Sequence, residues 1–135
     1  MNSQRWLAGF AGVVALFLLI EGAWTAWIAE GVRHVEAGSY PFATADDVAW
    51  ARSHLLGMYL VVAEGLLFGT IAAICAVALF VGRPWARRLL LMASVLLALT
   101  AMVVIAVAPQ QWDTQGVFIV FCVLLWLEAR KWRRA

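Results

Sequence analysis

The chain has 135 residues, 65% of them hydrophobic and 13% charged, with a net charge of +2 and a mean hydropathy of +0.89. Soluble domains carry about 25% charge, so most of this surface is expected to face lipid. The length suits one domain. The absence of a basic patch interleaved with aromatics speaks against nucleic acid as a partner.

In chain order, four stretches are long and apolar enough to span a bilayer: residues 6–28, 55–81, 89–108 and 112–132. Each reaches the ~20 residues needed to cross ~30 Å of hydrocarbon. The expected fold is therefore all-α, a single transmembrane domain over residues 1–135 built as an up-down-up-down four-helix bundle. The first stretch follows Arg5 but has no A-x-A-like site after it, and Glu21 interrupts its end. It is expected to be a retained helix rather than a cleaved leader.

The outer loop, residues 29–54, is the only long connection. Helix 1 should run on past the membrane until Gly38 and Pro41 break it. Thr44 is the expected N-cap of helix 2, with Asp46 and Asp47 in the first turn, where the helix dipole favours negative charge. Gly82 should end helix 2, and Pro84 suits the first turn of helix 3. Pro109 should stop helix 3. Short connections make consecutive helices antiparallel neighbours.

Orientation follows from lysine and arginine. Arg5, Arg83, Arg87, Arg88, Arg130, Lys131, Arg133 and Arg134 would fall on one side, eight of the ten basic residues. Only Arg33 and Arg52 fall on the other, with Glu30, Glu36, Asp46, Asp47 and Asp113. Both termini are thus expected in the cytoplasm, and the protein in a bacterial inner membrane. Trp27, Trp50 and Trp112 fit an outer aromatic belt, and Trp6, Trp85 and Trp132 an inner one. The Gly65–Gly69 stripe of helix 2, continued by Ala73 and Ala76, allows close helix approach. It could serve packing inside the bundle or a homo-oligomer.

Two acids lie inside spans: Glu21, in "LFLLIEGAWTAWIAEG", and Glu64, in "MYLVVAEGLLFGTI". An acid at mid-membrane costs roughly 2.5–3.5 kcal/mol on insertion scales and marks the bundle interior or a wet cavity. At about 1.5 Å per residue, Glu21 lies about 10 Å and Glu64 about 13–14 Å below the outer edge. Helices 1 and 2 are neighbours, so the two acids are expected to share a site in which one carboxyl tends to keep its proton. At about 100° per residue, Asp46, Trp50, Ser53, Gly57, Leu60 and Glu64 share a face of helix 2, a polar or small track from the outer surface. Thr25 sits a turn above Glu21, and Thr100 lies at matching depth on helix 3. Glu21, Trp24, Thr25, Ser53, Gly57, Glu64 and Thr100 form the candidate ligand-binding set. The alternatives are protonated acids that hold helices together, or acids that face a partner.

Other chemistry is weakly signalled. Glu30, His34, Asp46, Asp47 and His54 could be drawn as a metal site, but ordinary interfacial histidines are favoured, and no metal or cofactor is expected. Cys75 and Cys122 read as packed thiols. Met92 and Met102 read as core or lipid-facing filler. A glutamate in the first of four short spans resembles the small multidrug transporters. The second acid, the long outer loop and the one-sided charge depart from that family. Four helices around paired acids are also similar in kind to the emopamil-binding type of sterol isomerase, without a shared motif.

Three functions fit. The first is binding or transport of a proton, a cation or a lipophilic small molecule at the acids. The second is a membrane-embedded acid/base enzyme on a lipophilic substrate. The third is an accessory subunit of a larger membrane complex. Expected partners are the bilayer, such a small molecule, and a homo-oligomer or larger complex.

Overall fold

The structure, a computed structural model, describes residues 3–131. Trp132, Arg133 and Arg134, placed above at the inner end of the fourth span, lie outside the described residues. Four α-helices make up almost all of the rest: α1 (Ser3–Glu36), α2 (Ala45–Phe80), α3 (Trp85–Val107) and α4 (Trp112–Lys131), with a 3₁₀ turn over Pro109–Gln111. All four are long and apolar enough to cross a membrane.

The helix ends follow from their punctuating residues. α1 runs for 34 residues, about 50 Å at ~1.5 Å each, until Gly38 turns the chain at φ +73°. α2 opens on a full capping box: Thr44 Oγ1 accepts from Asp47 N (3.2 Å), and Asp47 Oδ2 accepts from Thr44 N (2.7 Å). These bonds satisfy orphan N–H groups of the helix start. Gly82, at φ +87°, ends α2, and Pro84 stands at the N-cap of α3. Pro109 cannot extend α3 and opens the 3₁₀ turn instead.

α1 and α2 form the closest pair. A Cβ built on Gly65 would lie 2.7 Å from Leu18 O and 2.9 Å from Gly22 Cα. One built on Gly69 would lie 2.8 Å from Leu19 Cγ, and Gly12 approaches Ala76. Residue numbers fall along α1 as they rise along α2, so the two helices are antiparallel. The glycine stripe is thus consumed inside the chain. At Gly65 and Gly69 the space left by the missing side chains is filled by α1, by its backbone at Gly65 and by Leu19 at Gly69, which is the packing role expected of the stripe.

Large apolar side chains are distributed inside out. Val13, Leu16, Ile20, Leu67, Met92, Leu99 and Met102 are all exposed, which suits a lipid environment and places both methionines at the surface. The core is narrower and richer in small residues, including Ala11, Ala15, Ala72, Ala86 and Ala101. On α4 the buried residues are Gln115, Phe118, Cys122, Leu125 and Ala129. That spacing of three and four defines one helix face. At the far end of this stripe, the Arg87 guanidinium donates to Ala129 O.

Candidate functional site

The α1–α2 crossing sets the level of the two acids. Glu21 precedes Gly22 and Glu64 precedes Gly65, and these two glycines are in backbone contact. The acids are therefore at the same height, as the depth argument requires. In an antiparallel pair, the residues preceding two facing positions turn to the same side of the plane through both axes. Here that side is occupied by α4. Glu64 meets Gln115 of α4. Phe17, one turn below Glu21, packs on Phe121 of α4, with ring centroids 4.9 Å apart.

Glu64 is only 6% exposed and Gln115 is fully buried. Gln115 Nε2 donates to Glu64 Oε2 at 2.7 Å. The other oxygen of each group, Glu64 Oε1 and Gln115 Oε1, is buried without a hydrogen-bond partner. Thr100 approaches the Glu64 carboxyl from α3, but its hydroxyl donates to Leu97 O at 2.9 Å. Among the described residues, neither of these two acceptors of the Glu64 site has a donor.

Glu21 does not join it by hydrogen bonding. It is half-buried, and the hydrogen bonds and ion pairs of the described residues do not include it. The partner of Glu64 is a carboxamide rather than a second carboxyl, because Gln115 of α4 reaches the site from across the bundle. Thr25 is half-buried and Trp24 exposed on the flank of α1. The centroid of the Trp24 ring lies 5.3 Å from that of Trp27.

The polar track on α2 is roofed by the α3–α4 connection. Gly57 is buried, and a Cβ there would lie 2.9 Å from Gln111 Cγ and 3.1 Å from Ala108 Cβ. Ser53 O accepts from Gln110 Nε2 at 3.0 Å, and Ser53 Oγ donates to Trp50 O at 2.8 Å. Below the site, a cavity of ≈ 20 Å³ is bounded by Leu18, Phe68, Leu97 and Cys122. It has room for about one water.

The outer histidines are occupied separately. His34 Nε2 lies 3.3 Å from Glu30 Oε1, which Arg33 Nη2 also contacts at 2.7 Å. The Arg33 guanidinium holds the Glu30 carboxyl below its ordinary value. His54 stacks on Trp50 at 4.2 Å, its Nδ1 2.8 Å from Trp50 O. Asp47 is engaged in the capping box. The drawn metal set is therefore dispersed, and no three metal-ligating side chains cluster among the described residues. Cys75 and Cys122 are buried free thiols.

Gln115 is the residue that reasoning from charge alone passes over. Its signal is periodicity: it begins the series 115, 118, 122, 125, 129 that α4 buries. No family model, no curated protein and no solved structure matches the chain.

Proposed function

We propose that this is a multi-pass membrane protein of a bacterial inner membrane, with four spans running up-down-up-down and both termini in the cytoplasm. Its Glu64–Gln115–Thr100 cluster binds a proton or small cation in the course of transport. The basic residues support the orientation, since eight of ten fall at one end of the four spans.

One observation carries the site: the two buried oxygens, Glu64 Oε1 and Gln115 Oε1, that have no donor. A buried acceptor without a partner costs about 1–3 kcal/mol, and more if charged. A proton on Glu64 turns Oε1 into a donor that can reach for an acceptor, whereas a small cation would be held by both oxygens directly. Intramembrane acids of this kind mark proton and ion pathways. The small cavity beneath favours a proton or bare ion over an organic molecule. Glu21, half-buried at the same height on α1, would be the acid that exchanges protons or ions with that site.

The test is flux through the purified protein in proteoliposomes under an imposed pH or cation gradient, read with an internal dye. Wild type should dissipate one of these gradients, and Glu64→Gln should abolish that flux. Equal flux in Glu64→Gln and wild type would overturn the reading.

A further inference from the structure

At the opposite end from the long loop, the start of α1, the α2–α3 turn and the start of α3 enclose a cleft of ≈ 540 Å³. Its floor is apolar, with Leu7, Leu79 and Leu91, and its rim carries Gln4, Arg87 and Arg88. We infer that this cleft binds the headgroup of an anionic phospholipid, a site distinct from Glu64 and independent of its role.

Among the described residues, this end holds Arg5, Arg83, Arg87, Arg88, Arg130 and Lys131, and its only carboxylate is Glu128. Glu128 is taken by Lys131 at 2.6 Å. Arg5 lies over the Phe80 ring and Arg130 over the Trp126 ring. Arg88 is exposed, and neither an ion pair nor a hydrogen bond engages it. The cleft therefore holds positive charge that no described side chain balances.

Arg87 is anchored by its bond to Ala129 O. A guanidinium has five N–H donors in a planar fork, so the anchored group keeps donors for a phosphate. Pro84 supplies no side-chain cap to the start of α3, and the positive end of that helix dipole lies beside the same rim.

The apolar floor decides the source of the phosphate. A free anion gains nothing from apolar surface, whereas a phospholipid lays its upper acyl chain against half-buried Leu91 and exposed Pro84 while its phosphate meets the arginines. Basic pockets between spans recognise anionic headgroups in this way.

The test is native mass spectrometry of the purified full chain in detergent, titrated with phosphatidylglycerol, phosphatidylcholine or inorganic phosphate. Phosphatidylglycerol should be retained in preference to phosphatidylcholine. Arg88→Gln should weaken that retention about five-fold, while Lys131→Gln, outside the cleft, leaves it near wild type. Arg87→Gln should weaken it further, with circular dichroism confirming that the helices persist. Equal retention of the two lipids, or equal losses in Arg88→Gln and Lys131→Gln, would overturn the assignment. So would inorganic phosphate that binds alone and displaces the lipid, since the site would then be one for free anions.

Discussion

Gln115 Nε2 donates to Glu64 Oε2 across 2.7 Å, joining α4 to α2 in the buried interior of the bundle. The two groups depend on each other, because each would otherwise be a buried polar group without a partner. Replacing Gln115 with leucine keeps similar bulk and strands the carboxyl. The expected loss is about 1–3 kcal/mol of stability. The double variant Glu64→Leu with Gln115→Leu removes both polar groups and should recover most of that loss, because well-packed apolar replacements of a buried pair are often neutral or stabilising. Unfolding of the four proteins of this cycle in mixed micelles measures the coupling. Additive losses would show that the two side chains do not support each other.

Thr100 is expected to behave differently. Its hydroxyl is already used locally, on Leu97 O, so Thr100→Val should cost less stability than Gln115→Leu. Rotating that hydroxyl is nevertheless the nearest way to offer Glu64 Oε1 a donor. The prediction is therefore a split: a change below about 1 kcal/mol in unfolding, but a clear change in the proteoliposome flux assay. A flux equal to wild type would remove Thr100 from the site.

The α1–α2 crossing makes an ordered prediction about glycines. At Gly65, a methyl group would meet backbone atoms, Leu18 O at 2.7 Å and Gly22 Cα at 2.9 Å. Backbone cannot step aside without separating the helices, so Gly65→Ala should cost about 1–3 kcal/mol. At Gly69, the nearest atom is Leu19 Cγ at 2.8 Å, part of a side chain that can shift in part, with Leu19 N at 3.1 Å behind it. Gly69→Ala should cost less. Gly9 and Gly31 have nothing within 4 Å, so alanine there should stabilise by about 0.5–1 kcal/mol through helix propensity alone. Unfolding midpoints of the four variants test the order, and a Gly65→Ala as stable as Gly9→Ala would contradict the crossing.

The legible and illegible parts of this chain divide by the range of the interaction that decides them. Helix ends are decided within a few residues: Gly38, Thr44, Gly82 and Pro109 each act on their own turn, and each stands at the boundary its chemistry predicts. The common height of Glu21 and Glu64 is also legible, because a short chain of rises along two adjacent helices sets it. Which side chain meets Glu64 is a different matter. Gln115 is 51 residues away, on a helix whose rotation is set by packing along its whole length. A search for charged residues cannot find a neutral amide. The roof over Gly57 was hidden for the same reason, since a polar stripe on one helix says nothing about what lies across from it.

The capping box of α2 yields a prediction in pH. The Thr44 backbone N–H, and after it the Thr44 hydroxyl, hold the Asp47 carboxyl below the ordinary aspartate value of 3.8. A carboxyl lowered in the folded chain binds its proton more weakly there than in the unfolded chain. Its contribution is therefore complete above the ordinary value and is lost as pH falls through the lower folded value. Protonation removes the charge that accepts from Thr44 N at 2.7 Å, and the first turn of α2 should fray. Asp47→Asn should abolish this acid-dependent step, and the protection of the amides at residues 45–48, relative to their intrinsic exchange at each pH, should then be the same above and below it. Thr44→Ala removes the other half of the box and should cost about 0.5–2 kcal/mol at neutral pH. Because this start of α2 lies well before Glu64 in the helix, flux through the bundle should persist in both variants. Loss of flux in Asp47→Asn would instead tie the cap to the buried site.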